Sequence, residues 1–176
     1  SLYLLQYMMT ILQQNFRQGI YYLKQSLELI NQHGHVNDIP NRYTNIGYMY
    51  ENSGQYNQAE KYYQLGLDFA KKNNSLAALK MAYSAFGRLH FCRKNYEKAL
   101  HYYQEALALF EKDEESMERA TILCNLASSY QFLNKPEQAL FYYNQLQSEW
   151  IKNENPDLYY STLLNMAVLH IHQNQV

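Results

Sequence analysis

Histidine is the residue of this chain best suited to metal binding, but its spacing does not supply a metal site. His33 and His35 flank Gly34 in a predicted loop, and no further ligand stands near them in the sequence. His170 and His172 are two residues apart on a predicted helix, so their side chains point in different directions. Because zinc sites take three or four protein ligands, we predict no metal and no cofactor.

No motif in the sequence indicates catalysis. There is no glycine-rich phosphate loop, no nucleophile motif and no pair of carboxylates set apart from solvated helix faces. Cys92 and Cys124 are the two cysteines, and we expect them as free thiols in a reducing compartment. We therefore predict a protein that is not an enzyme and that is located in the cytoplasm.

The composition favours a helical protein. The chain has 176 residues, with 15 Lys and Arg against 16 Asp and Glu and a formal net charge of −1. Because no basic surplus exists to neutralise phosphates, nucleic acid is not expected as a partner. No apolar run is long enough to span a bilayer, so we predict no membrane helix. Six Gly and three Pro leave few helix breakers, which favours an all-α class.

A 40-residue repeat organises the sequence. Small residues recur with this step at Gly19, Ala59, Ala99 and Ala139. Tyrosines keep the same step at Tyr22, Tyr62, Tyr102 and Tyr142. A second block recurs at positions 43, 46, 47 and 50 and again 40, 80 and 120 residues later. Its spacing of 3, 1 and 3 marks one face of an α-helix, so each repeat is predicted to be helix A, a tight turn and helix B.

The repeat predicts nine helices and one continuous array. The helices are expected near 2–13, 16–31, 40–53, 56–73, 76–93, 96–112, 115–133, 136–152 and 157–174. Helix pairs cannot bury their apolar faces alone, so successive pairs stack in series. The expected fold is an α-α superhelical solenoid of four helix hairpins plus one terminal helix. We expect a single solenoid over 1–176, with repeats near 1–35, 40–74, 76–113 and 115–153 and an incomplete one at 157–176.

The pattern of small and large residues resembles the tetratricopeptide-repeat (TPR) signature. Tyr43, Ile46, Gly47 and Tyr50 followed by Ala59, Tyr63 and Gly66 match it closely. The resemblance implies a non-catalytic module that binds proteins or peptides. Repeats this long are similar to those of bacterial cytoplasmic peptide-sensing regulators of the Rap and PlcR type. The resemblance therefore implies the sensor or assembly segment of a regulator, and we expect a fragment of a larger protein.

The concave groove lined by the A helices is the predicted binding site. Polar side chains lie opposite the packing face of these helices, and an asparagine recurs at the adjoining position of three copies. The candidate residues are Asn41, Thr44, Asn45, Tyr48, Ser84, Arg88, Asn125, Ser128 and Asn165. An amide both donates and accepts hydrogen bonds, so it can pair with the backbone of an extended peptide. Chaperone-binding members of the family clamp a carboxylate with Lys and Asn. This groove lacks the Lys, which favours a neutral peptide or a partner helix.

A second hypothesis is a structural scaffold that self-associates, as a homodimer for example, without a peptide ligand. The recurring tyrosines allow a similar choice between a ligand stripe and packing between helices. They lie next to the small residue of helix B, so we expect them to pack. His90 stands at an aromatic position of the repeat, where packing is also expected.

Overall fold

The computed structural model describes residues 16–33, 38–111 and 114–174. The predicted helix over 2–13 and the loop residue His35 lie outside this part of the chain. Within it the chain forms helices and turns only, as the composition predicts. The helices are α1 (Phe16–His33), α2 (Ile39–Asn52), α3 (Tyr56–Lys72), α4 (Leu76–Cys92), α5 (Tyr96–Leu107), α6 (Met117–Phe132), α7 (Pro136–Asn144), α8 (Glu149–Glu154) and α9 (Pro156–Asn174).

The tight turns between helices share one backbone geometry. In the turns that follow α2, α3, α4 and α6, the second residue beyond the helix has a positive φ, and these residues are Gly54, Asn74, Lys94 and Asn134. The next backbone N–H then donates to a carbonyl five residues earlier, over 2.8 Å from Gln55 to Tyr50 and 2.9 Å from Lys135 to Tyr130. This is the Schellman arrangement, which satisfies the last carbonyls of a helix while it reverses the chain. The tight turn predicted between helix A and helix B is confirmed in three repeats, between α2 and α3, α4 and α5, and α6 and α7.

The chain divides into two compact units, Ser1–Leu89 and His90–Val176. In the first unit α1 packs on α2 and α2 packs on α3. In the second, α5 packs on α6, α6 on α7, and α9 on both α7 and α8. Ile20, Leu23, Ile46 and Met49 form a core cluster of the first unit. A core cluster of the second unit includes Tyr143 and Leu146.

The recurring small residues and tyrosines hold the helices together within each unit. Ala59, Ala99 and Ala139 are fully buried. Aromatic rings stack at the same repeat step in the pairs Tyr50–Tyr62, His90–Tyr102 and Tyr130–Tyr142, with ring centroids 5.4, 5.3 and 5.5 Å apart. A polar side chain from the preceding B helix reaches the hydroxyl of a stacked tyrosine, Lys24 at Tyr50 and Gln104 at Tyr130. The packing role predicted for the tyrosines and for His90 is therefore confirmed.

One predicted helix, 136–152, is wrong as a single element because it breaks into α7 and α8. The backbone N–H of Leu146 donates to the carbonyl of Tyr143, which closes a tighter turn than an α-helix allows. Ser148 Oγ then accepts from the backbone N–H of Ile151 at 3.2 Å and begins a new helix. The break lets the side chains of Leu146 and Ile151 both reach the core, where they are 0% and 4% exposed.

A second predicted helix, 96–112, is too long, because α5 ends at Leu107. The N–H groups of Leu109 and Phe110 donate to carbonyls three residues back, which ends the helix in a tight turn. The following sequence is rich in glutamate, and negative charge at a helix C-terminus opposes the helix dipole. The other predicted helices within the described ranges agree with the structure to within two residues at each end.

Candidate functional site

Four side chains from three helices meet in the first unit, and we call this group the Arg88 centre. Tyr48 and Glu51 come from α2, Tyr63 from α3 and Arg88 from α4. The guanidinium carbon of Arg88 lies 4.3 Å from the centroid of the Tyr48 ring, a cation–π contact. Tyr48 is 38% exposed, so this contact is formed at the surface.

A fully buried tyrosine ties the charged groups of the Arg88 centre together. The Tyr63 hydroxyl donates to Glu51 Oε2 at 2.7 Å and accepts from Arg88 Nη2 at 2.8 Å. Arg88 Nη2 also lies 3.5 Å from Glu51 Oε2, and the Glu51 side chain is only 5% exposed. The buried carboxylate is thus compensated both by a hydrogen bond and by an opposite charge, as burial requires. The arrangement holds the guanidinium over the Tyr48 ring.

A neutral counterpart lies in the second unit, and we call it the Tyr143 centre. The Tyr143 hydroxyl donates to Gln131 Oε1 at 3.2 Å and lies 3.4 Å from Ser128 Oγ. The Asn165 side chain of α9 lies close enough to this hydroxyl to influence its pKa. Burial raises the pKa of Tyr143, and the nearby side chains of Ser128 and Asn165 oppose that rise. The hydroxyl therefore stays protonated and acts as a neutral donor and acceptor.

The two centres are related by a step of 80 residues, twice the repeat. Tyr143 corresponds to Tyr63, and Gln131 corresponds to Glu51, each twelve residues before its tyrosine. Both tyrosines are 0% exposed, yet each hydroxyl reaches polar side chains on the A helices. The same fold position thus supports a charged centre in one unit and an uncharged centre in the other.

The structure brings together some of the predicted binding residues and leaves others apart. Tyr48 and Arg88 meet in the Arg88 centre, and Ser128 and Asn165 meet in the Tyr143 centre. The remaining candidates lie outside both centres, Asn41 being exposed and the others half-buried, and they are Asn41, Thr44, Asn45, Ser84 and Asn125.

Sequence reasoning missed Tyr63 and Tyr143 as site residues because they belong to the packing signature of helix B. Their rings do pack, as that signature predicts. Only the arrangement of the helices shows that the two hydroxyls contact polar side chains of the A helices. The sequence signal was the polar residue twelve positions earlier, Glu51 or Gln131.

Other chemistry of the described residues is limited. They contain no group of three His, Cys, Asp or Glu side chains that could hold a metal ion. Burial raises the pKa of the Cys124 thiol, which disfavours the nucleophilic thiolate. Among the same residues, no helix is long and apolar enough to cross a membrane.

A surface pocket of about 550 Å³ opens in the second unit near the break between α7 and α8. It shares no residue with the Tyr143 centre. Its lining combines an apolar floor with acidic side chains and one arginine, and it consists of Glu114, Glu115, Ser116, Arg119, Ala120, Leu123, Phe141, Gln145, Ser148 and Ile151. Arg119 spans part of it with a long contact of 3.5 Å to Gln145 Oε1.

Matches to family models identify the family of these helix hairpins. Models of the tetratricopeptide repeat match residues 40–73 and 78–147, which together make up more than half of the chain. The chain is a tetratricopeptide-repeat protein. No curated protein sequence matches it significantly.

Solved structures similar to this TPR chain are known. BtubC (BKLC) from P. vanneervenii is 23% identical, with a TM-score of 0.76, and the match covers 90% of this chain and 66% of that one. The apo form of RapI is 18% identical, with a TM-score of 0.76 and coverage of 90% and 57%. The quorum sensor NprR of B. thuringiensis, solved in complex with its cognate peptide NprX, is 19% identical, with a TM-score of 0.67 and coverage of 90% and 44%.

These similarities establish the fold. The predicted class, an all-α TPR-like α-α superhelix, is confirmed, as is the resemblance to TPR sensors of the Rap and PlcR type. The chain spans less than two thirds of the length of each of the three proteins. TPR folds are protein-interaction modules, and this chain has that architecture.

Proposed function

We propose that this chain is a non-catalytic peptide-binding module, the sensor or assembly segment of a bacterial cytoplasmic regulator. The observation that carries the proposal is the pair of polar centres, each organised on the A-helix face by a fully buried tyrosine. Side chains held in this way lose little entropy when a ligand binds, which favours affinity. The similarity to NprR, which was solved with a bound peptide, supports the same function.

The chemistry of the centres favours an uncharged, extended segment as the ligand. In the Arg88 centre the cation already faces Glu51, so a ligand carboxylate would compete with an existing ion pair. The Tyr143 centre offers only hydroxyl and amide groups. Hydroxyls and amides match the N–H and C=O groups of a peptide backbone. Tyr48 adds an exposed ring on which an apolar side chain can pack.

The test selects a ligand without assuming its sequence. A phage library of random peptides is panned on the chain, and an enriched peptide is titrated by fluorescence anisotropy. We expect Arg88→Ala or Asn165→Ala to weaken its binding by about tenfold, the effect of losing one well-placed hydrogen bond to a charged or buried partner. The matched controls are Lys61→Ala and Gln138→Ala, at exposed positions of α3 and α7, and they should leave affinity unchanged.

Two results would overturn the proposal. One is that panning on the wild-type chain enriches no peptide beyond those that are also enriched on a chain carrying both Tyr63→Phe and Tyr143→Phe. The other is that the control substitutions weaken the selected peptide as much as Arg88→Ala and Asn165→Ala do. An affinity lost with only one of the two test variants would assign the peptide to that unit.

A further inference from the structure

The surface pocket beside the break between α7 and α8 differs from the Tyr143 centre in its chemistry. Its volume of about 550 Å³ lies within the range of about 300–1,000 Å³ that is typical of small-molecule sites. Ala120, Leu123 and Ile151 form its floor and belong to a core cluster of the second unit. Phe141 also lines the pocket, and its ring is 63% exposed. The pocket therefore presents an apolar wall on which a ligand side chain can pack.

Two residues of the pocket depart from the repeat in opposite directions. Arg119 is a cation at a position where the two preceding repeats hold apolar residues. Phe141 is an aromatic ring at a position where the same two repeats hold polar residues. The residues at the corresponding positions are Ile39 and Leu79 for the first and Lys61 and His101 for the second. Because the preceding repeats fold without either change, the packing of the solenoid requires neither of them.

The guanidinium of Arg119 has a weaker partner than that of Arg88. Arg88 Nη2 lies 2.8 Å from the hydroxyl of Tyr63 and 3.5 Å from the carboxylate of Glu51. Within the part of the chain that the structure describes, Arg119 instead contacts a neutral amide, Gln145 Oε1, at 3.5 Å. An amide compensates a cation less well than a carboxylate does. Arg119 can therefore take an anionic group of a ligand as its partner.

Two hydroxyl groups add hydrogen-bond donors to the lining of the pocket. Ser116 Oγ accepts from the backbone N–H of Arg119 at 3.4 Å, and Ser148 Oγ accepts from that of Ile151 at 3.2 Å. Because a hydroxyl group both accepts and donates, each serine can still donate its proton to a ligand oxygen. One cation and two hydroxyl donors thus line the pocket together with an apolar wall. This combination suits a carboxylate that is carried by an apolar residue.

Two glutamates disfavour a ligand that carries negative charge alone. Glu114 and Glu115 precede α6 and line the pocket together with Arg119. Glu114 Oε2 accepts from the backbone N–H of Glu111 at 3.3 Å, whereas Glu115 is exposed. Carboxylates outnumber cations in this lining. A ligand that brings an ammonium group to Glu115 as well as a carboxylate to Arg119 matches both signs of charge.

We propose that this pocket binds a short free peptide with apolar side chains, about three residues long, through both of its charged termini. Arg119 and the two serine hydroxyls receive the carboxylate, Glu115 faces the ammonium group, and an apolar side chain packs on Phe141. The ligand differs from the one proposed for the Arg88 and Tyr143 centres, because there the charged ends of the segment take no part in binding.

The first test needs no substitution in the protein. The wild-type chain is titrated by isothermal titration calorimetry with the tripeptide leucyl-alanyl-leucine in its free, C-terminally amidated and N-terminally acetylated forms. We expect amidation to weaken binding by about tenfold and acetylation by about two- to threefold, because the carboxylate meets a half-buried arginine whereas the ammonium group meets an exposed glutamate. No saturable binding of the free form at millimolar concentration, or equal affinity of the free form and either blocked form, overturns the proposal.

The second test assigns the binding to the pocket. Arg119→Ala should remove the preference for the free carboxylate, and Glu115→Gln should remove the preference for the free ammonium group. Lys98→Ala and Glu118→Gln, at exposed positions outside the pocket, are the matched controls and should keep both preferences. Each preference is a ratio measured within one variant, so a change in overall stability does not mimic it. Preferences that persist in the pocket variants, or that vanish in the controls, refute the assignment.

A third comparison separates this site from the two polar centres. Arg88→Ala and Asn165→Ala should leave the affinity for the free tripeptide unchanged, because neither residue lines the pocket. The tripeptide site therefore stands even if panning selects no peptide for the polar centres. A tripeptide that these two substitutions weaken as much as Arg119→Ala does would show that the pocket is not a second site.

Discussion

The hydroxyl of Tyr63 sits between a buried carboxylate and a guanidinium, whereas the hydroxyl of Tyr143 sits among neutral groups. Hydrogen bonds to charged groups are worth more than hydrogen bonds between neutral groups, because a buried charge that loses a donor is poorly compensated. The two tyrosines therefore occupy one repeat position but differ in the energy that their hydroxyls contribute. This difference can be measured because phenylalanine keeps the ring and removes only the hydroxyl.

Tyr63→Phe is expected to lower the free energy of unfolding by about 1.5–3 kcal/mol, and Tyr143→Phe by about 0.5–1.5 kcal/mol. Urea unfolding followed by circular dichroism measures both values on otherwise identical chains. The ring packing against Gly47, where even a Cβ would collide with Tyr63, is untouched by the substitution. Equal losses, or a larger loss for Tyr143→Phe, would contradict the assignment of Glu51 and Arg88 as partners of Tyr63.

The stability of the folded chain is expected to depend on pH through Cys124. Its pKa is raised by burial, with a smaller opposing effect from a hydrogen bond to Ser128. The folded state thus holds the thiol proton more tightly than the unfolded state. The resulting stability is fully present below the ordinary pKa of the thiol and is lost as the pH rises through the raised folded-state pKa.

Alkylation by iodoacetamide, followed by mass spectrometry, tests this prediction. Cys92 is exposed and Cys124 is half-buried, so the rate at Cys124 should be lower and should rise only at higher pH. In strong urea the two rates should converge. A Cys124 that reacts as fast as Cys92 in the folded chain at neutral pH would disprove the raised pKa.

At the scale of the elements, the left-handed residue of each turn affects the free energy of unfolding, and this effect can be measured. The left-handed backbone conformation is free of strain for Gly54 but not for Lys94, which has a φ of 59°. Lys94→Gly is therefore expected to raise the unfolding free energy by about 0.5–1 kcal/mol, and Gly54→Ala to lower it by about 1 kcal/mol.

Asn134→Gly is the matched control, because asparagine tolerates the left-handed conformation better than lysine does. Its gain in thermal or urea stability should be smaller than that of Lys94→Gly. If Lys94→Gly destabilised the chain as much as Gly54→Ala does, the shared turn geometry would be wrong.

The repeat step was sufficient to predict the helices because it combines local helix periodicity with the spacing of small residues. It could not predict the break after α7, since the repeat register continues through Gln145–Ser148 without interruption. At this point the helix breaks because the break buries the side chain of Leu146 and lets Ser148 cap a new helix. A continuous helix would provide neither interaction. The candidate residues on the A helices follow from the repeat, whereas the grouping of some of them around Tyr63 and Tyr143 depends on the tertiary arrangement.

At the scale of the whole molecule, the balance of charges supports the proposed preference for an uncharged peptide. Fifteen basic and sixteen acidic residues leave almost no net field, and Arg88 is paired with Glu51. Recognition of a neutral backbone should therefore depend little on ionic strength, because screening acts on charge pairs. Amidation of the C-terminus of a selected peptide should likewise leave its affinity nearly unchanged.

Glu51→Gln changes this balance while preserving the hydrogen bond of Tyr63, since an amide oxygen accepts as the carboxylate does and Gln131 fills the same role beside Tyr143. The charge of Arg88 then lacks its partner. We expect the variant to bind the free-carboxylate form of the peptide about three- to tenfold more tightly than the amidated form, a preference that disappears at high salt. Anisotropy titrations of both peptide forms at low and high salt measure it. A wild-type chain that already prefers the carboxylate form to this extent would show that the ion pair with Glu51 does not neutralise Arg88.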